Sequence, residues 1–98
     1  MGDHFNKLTP AEHERLALLM EECGEIIQAI GKIQRHGYES FHPDFPEQTN
    51  REDLEKEVGH FELALQKLLD ARDLNGEDVW AYKFAKSKQI GRYLHHQG

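Results

Sequence analysis

The sequence predicts an all-α protein: an antiparallel helical bundle completed by homo-oligomerisation. Three observations predict it. Apolar residues recur at three- and four-residue steps over two long stretches, capping chemistry marks where those stretches begin, and an Asn-Gly pair and a polar, proline-containing segment separate the elements. The 98 residues are read as one domain, 1–98, with positions 1–8 expected to be flexible.

The first helix opens at Thr9-Pro10-Ala11-Glu12, a capping box with proline at the first helical position. Leu16, Leu19, Met20, Cys23, Ile26, Ile27, Ile30 and Ile33 then follow a helical period, and Gly37 is suited to a left-handed terminus. The helix is expected from about Pro10 to Arg35. Residues 38–49 break the pattern with Pro43 and Pro46, which forbid a regular helix there. Asn50 is expected to cap a second helix, with Glu52 and Asp53 in its first turn and Leu54, Val58, Phe61, Leu65, Leu68 and Leu69 as its stripe. It should stop near Leu74, before Asn75-Gly76. A third helix is expected over about Glu77 to His95, with a thinner apolar face carrying Trp80 and Phe84 and with Gly91 weakening its far end. Long helices joined by short turns pack antiparallel.

Composition limits the partners. The apolar fraction is 38%, and a chain of 98 residues buries little surface alone, so the isoleucine-rich stripe predicts a homodimer or tetramer. The net charge of −6 argues against general affinity for nucleic acid. Residues 1–78 carry a net −10, whereas residues 79–98 hold four basic groups and no acidic one. That distribution suits metal cations together with a phosphate, although an ordinary solvated surface has the same look. Cys23 is the single cysteine, and its place in an apolar pattern reads as core. No signal peptide and no long apolar run are present, so a cytoplasmic protein without a membrane segment is expected.

Two features go beyond fold. Glu22 and Glu25 lie three apart on the first helix, and Glu57 and His60 three apart on the second. Such pairs share one helix face, and Glu22 and Glu57 flank the apolar stripes, where each can line a groove between helices. Oxygen ligands in that number suit Mg²⁺ or Mn²⁺. The same spacing is also commonplace on solvated helices, where like charges mildly destabilise.

At these positions the chain resembles a family. Glu21-Glu22-Cys23-Gly24-Glu25, Ile26-Ile27-Gln28-Ala29 and the run from Asn50 to Gly59 are similar to the motifs of MazG-like nucleotide pyrophosphohydrolases, E-x-x-E on one helix and E-x-x-D on the next. The resemblance extends from about Leu16 to His96 and includes the loop and the Tyr93-Leu94-His95-His96 tail of short phage-type relatives. It implies an α-helical dimer or dimer of dimers that cleaves a nucleoside triphosphate, often a deoxynucleotide, to monophosphate and pyrophosphate with Mg²⁺. It further implies Glu22, Glu25 and Glu57 as metal ligands and Glu21 as a residue positioning water or a second metal. Lys86 matches the last-helix lysine that meets the phosphates, with Lys83 one turn earlier as its rival. His60 departs from the pattern, because it stands where the family has Asp. Imidazole binds Mn²⁺, Co²⁺ or Zn²⁺ better than Mg²⁺, which puts the metal preference and activity in question.

The other histidines read as polar surface. His4, His95 and His96 lie near the termini, His13 in the first turn, and His36 and His42 beside the loop, where they can border a base pocket. Trp80 and Phe84 read as core or interface before a stacking platform, and Phe41 and Phe45 suit a loop that folds over a partner or substrate. Two alternatives to the enzyme stand: a catalytically impaired nucleotide-binding bundle and a purely structural dimerisation module.

Overall fold

The computed structural model describes residues 6–97. They form three α-helices, α1 (Pro10–His36), α2 (Asn50–Asp70) and α3 (Gly76–Gln89), followed by a 3₁₀ turn at Ile90–Arg92. No strand occurs among the described residues, where an isolated bridge between Phe41 and Thr49 closes the loop between α1 and α2. Of the leader expected to be flexible, residues 1–5 lie outside the described residues, as does His4. Leu8 donates its amide to Asn6 Oδ1 at 3.0 Å and is half-buried.

Each helix starts where a side chain satisfies backbone donors. The Thr9 hydroxyl accepts from the Glu12 amide and Glu12 Oε1 accepts from the Thr9 amide, at 3.1 and 2.8 Å. The same reciprocal box opens α2 through Thr49 and Glu52, at 3.1 and 2.9 Å. The cap of α2 is therefore Thr49 and not the expected Asn50. Asn50 is the first helical residue, and its Nδ2 donates to Gly37 O at 3.1 Å, tying the end of α1 to the start of α2. Gly37 ends α1 at φ 89°, where a side chain would be strained, and its N–H bonds to Ile33 O at 2.7 Å.

Two termini fall short of the sequence expectation. α2 ends at Asp70, not near Leu74, because the chain turns through a left-handed Arg72 (φ 63°). α3 begins on the Asn75 cap but stops at Gln89, well before His95, and tightens into the 3₁₀ turn that contains Gly91.

The first two helices pack on each other. Arg15, near the start of α1, holds Asp73, just beyond α2, with a two-pronged contact at 2.6 and 3.0 Å. Lys32, near the end of α1, lies 3.9 Å from Asp53 at the start of α2. Each end of α1 thus meets the opposite end of α2. Ala29, Ala64 and Leu68 are the buried apolar side chains among the described residues. Two alanines at the contact let the backbones approach closely, since interaxial distance follows side-chain size. Ile26, Ile33, Leu54, Phe61, Leu65 and Leu69 are only half-buried, while Met20 and Ile27 of the α1 stripe are 73% and 70% exposed.

The third helix differs. It buries no residue, and its Trp80 and Phe84 rings stack on each other 5.3 Å apart in the open, with Lys88 Nζ 4.5 Å from the Phe84 ring centre. Within one chain these two aromatics are not core. No helix among the described residues is long and apolar enough to cross a membrane.

Candidate metal centre

Halfway along α1 and α2, the Glu22–Glu25 and Glu57–His60 pairs meet. Glu57 is buried and Glu22 largely so, with side chains 10% and 13% exposed. His60 Nδ1 lies 3.2 Å from Glu57 Oε1 and 3.7 Å from Glu22 Oε2, at the more open mouth of the cluster. One ligand atom from each of Glu22, Glu57 and His60 lies within 4.8 Å of the other two. Neither carboxylate oxygen accepts a hydrogen bond, although both are buried.

That combination is costly unless something compensates it. A buried carboxylate normally gathers hydrogen-bond donors or a cation, and an unpaired one is among the more unfavourable groups a fold can hold. Here one imidazole edge stands near two anionic oxygens without hydrogen-bonding either. Glu25 adds to the imbalance. Contact with the Glu57 carboxylate holds its carboxyl above the ordinary range, first because only a protonated Glu25 can hydrogen-bond to Glu57, then through repulsion and burial. His60 and Lys56 pull the other way.

The donor set fits a divalent cation. Two orphaned oxygens and one imidazole nitrogen converge within a small volume, with a third carboxylate beside Glu57. Carboxylates suit Mg²⁺ and Mn²⁺, and imidazole shifts the preference toward Mn²⁺, Co²⁺ and Zn²⁺. Of the expected site residues, Glu22, Glu57 and His60 form the tightest group and Glu25 flanks it. Glu21 is exposed on α1 and takes no part in the cluster. Lys83 and Lys86 are exposed on α3, and no ion pair joins them to these carboxylates among the described residues.

Two contacts escaped sequence reasoning. The Arg15–Asp73 clamp joins residues 58 apart, a separation that carries no local pattern. The Thr49 box was legible, because Thr49-Asn50-Arg51-Glu52 repeats the spacing of Thr9 and Glu12. Comparison of the chain with known protein families, with characterised proteins and with solved structures gives no match.

Proposed function

We propose that this chain is a metal-dependent pyrophosphohydrolase of the MazG-like type, converting a nucleoside or deoxynucleoside triphosphate to the monophosphate and pyrophosphate. One observation carries the reading: the buried Glu22 Oε2 and Glu57 Oε1 converge on His60 Nδ1 and lack any hydrogen-bond partner. The motif order along the sequence links that cation site to the pyrophosphohydrolase chemistry. Glu22, Glu57 and His60 would hold the cation, with Glu25 beside them. A bound divalent ion would neutralise phosphate charge and lower the pKa of bound water. Glu21, adjacent to Glu22 in sequence, is assigned the positioning of water by the family resemblance, and the basic side chains of α3, Lys86 or Lys83, the contact to phosphate oxygens.

The assembly proposed is an antiparallel helical bundle completed by a second or fourth copy. Its support is the scarcity of buried apolar side chains against the exposed Met20, Ile27, Leu63, Trp80 and Phe84. A helix pair with so little core gains the missing burial by association. Light scattering that finds only an 11.4 kDa monomer at micromolar concentration would reject it.

A second reading is favoured by the position of His60. The imidazole of His60 stands 3.2 Å from Glu57 Oε1 and 3.7 Å from Glu22 Oε2, filling the place between the two carboxylates and leaving a catalytically impaired helical module. Parallel Mg²⁺ and Mn²⁺ titrations, read by pyrophosphate release from all NTPs and dNTPs and by melting temperature, separate the two. The enzyme reading expects turnover, stronger with Mn²⁺, and His60→Asp shifting the preference toward Mg²⁺. No turnover and no metal-dependent stabilisation would leave the second reading standing.

A further inference from the structure

A second concavity lies at the loop end of the α1–α2 pair. It has a volume of about 390 Å³; Lys32, Arg35 and His36 from the last turns of α1, Ser40 and His42 from the loop and Asn50 at the start of α2 form its polar lining, and Phe41 and Pro43 its apolar part. The spacing explains the first three, since positions i, i+3 and i+4 share one helix face. From Glu25 to Lys32 and from Glu57 back to Asn50 are both seven positions. The cavity therefore sits roughly 10 Å along the helices from the carboxylate cluster, at a rise of 1.5 Å per residue.

The permanently charged residues of its lining, Lys32 and Arg35, are opposite in sign to the cluster, and much of the polar lining is uncommitted. Arg35, His36 and the Ser40 hydroxyl have no hydrogen-bond or ion-pair partner among the described residues. Lys32 reaches Asp53 only at 3.9 Å and keeps a half-exposed ammonium. His42 Nδ1 accepts the Asp44 amide at 3.1 Å, which in the neutral ring leaves the proton, and so a donor, on Nε2. The bland explanation is that Arg35 and His36 offset the dipole at the end of α1. That accounts for two cations in a last turn but not for their meeting Lys32, a free hydroxyl and a second donor ring around one cavity.

We infer that this cavity is a phosphate-binding site, separate from the carboxylate cluster. Recognition would run through side chains. The amides of Asn50, Arg51, Glu52 and Asp53 already donate to Ser40 O, Tyr38 O, Thr49 Oγ1 and Thr49 O, so the start of α2 adds only its dipole field. Arg35 supplies a planar fork for two phosphate oxygens and Lys32 a point charge. Ser40 can donate one further bond. The phosphate could belong to a nucleotide or be free, and both present the same dianionic group.

The test uses the full chain without metal, in EDTA, so that it does not depend on the carboxylate site. Inorganic phosphate and a nucleoside 5′-monophosphate are titrated separately by calorimetry and by amide chemical shifts. The expected result is saturable binding of at least one, with shifts centred on Ser40 and residues 35–37. Arg35→Gln should weaken it at least tenfold, Arg35→Lys less, and Glu57→Gln should leave it unchanged. Tighter binding of the monophosphate assigns the site to an organic phosphate, and equal affinity to the free ion; either supports the inference. No saturable binding of either probe, or binding unaltered in an Arg35→Gln protein whose far-ultraviolet circular dichroism is normal, overturns it. Failure here would leave the metal-dependent activity untouched, and loss of metal response would leave this site untouched.

Discussion

The α1–α2 pair and α3 start from equally good local chemistry and end differently. Both α2 and α3 open on a side-chain cap, Thr49 in one and Asn75 in the other, with acidic residues in the first turn. Yet α2 buries Leu68, Ala64, Asn50 and Glu57, while α3 buries nothing within the chain. Capping decides where a helix begins; only an apolar face with a partner decides whether it is held. α2 carries such a face opposite α1, whereas Trp80 and Phe84 of α3 are 63% and 47% exposed. The first pair can therefore present buried carboxylates in fixed positions. The basic residues of α3 gain no such fixity until something covers Trp80 and Phe84.

The largest expected effect lies in the packed pair. Leu68 is the largest fully buried side chain, and Leu68→Ala should destabilise the protein by about 2–5 kcal/mol in urea unfolding. Trp80→Ala, by contrast, should leave the stability of a single chain within about 0.5 kcal/mol, as for surface substitutions. If Trp80→Ala instead lowers stability in proportion to protein concentration, α3 is covered by another copy, and the contrast between the regions belongs to the monomer alone.

Next in size is the response to metal. A divalent ion at one hundred times its Kd should raise stability by about 2.7 kcal/mol through mass action. Glu57→Gln should abolish this gain, because it removes a buried ligand that neither hydrogen bond nor side chain replaces. Lys86→Gln on α3 should keep the gain in full. A Glu57→Gln protein whose melting temperature still climbs with Mn²⁺ would show that the cluster is not the binding site.

pH separates two carboxylates of opposite behaviour. Asp73 is held below its usual 3.8 by the Arg15 guanidinium, so its contribution is present above that value and is lost as pH falls through the lower folded-state pKa. Glu25 is held above 4.5, chiefly by contact with Glu57. The metal-free fold grips that proton more tightly than the unfolded chain does. Stability from Glu25 is thus present below 4.5 and is lost as pH rises through the raised value. Asp73→Asn should flatten the acid limb of the melting curve. Glu25→Gln should flatten the decline above it and leave the metal-free protein more stable at neutral pH. Thermal melts across pH in EDTA check both, and an unchanged profile in either variant removes the corresponding contact from the account.

Local signals explain what the sequence revealed. The helical period and the Thr9 box placed α1 within one residue; the paired spacing offered Glu22, Glu57 and His60 as neighbours across a groove but suited a solvated face equally, and only the packing of α1 on α2 brings the three together. Positions set by long-range geometry were not legible. The end of α2 depends on the turn at Arg72 and the Arg15–Asp73 clamp, and neither has a sequence period. Trp80 and Phe84 at a four-residue step look the same whether the face meets its own chain, another copy or water.

The smallest effect is also the most direct comparison of the two regions. Thr49→Ala and Asn75→Ala each remove one side-chain cap, worth about 1 kcal/mol in a typical helix. On α2 the loss should appear in global unfolding, because that helix is packed against α1 and cannot fray without opening the contact at Lys32 and Asp53. The Thr49 hydroxyl also donates to Glu52, whose carboxyl is held below 4.5 by the backbone and hydroxyl of Thr49, so the substitution removes both hydroxyl bonds and leaves the backbone one. On α3 the cap is a single bond from the Asp78 amide to Asn75 Oδ1, at 3.1 Å, and the helix behind it buries nothing. Its loss should raise hydrogen exchange at residues 76–80 and lower helix content slightly, while the global midpoint stays where it was. The separation of local from global opening makes this outcome specific. Should Asn75→Ala lower the global midpoint as far as Thr49→Ala does, α3 is coupled to the folded core through contacts with another copy, and the two regions unfold as one.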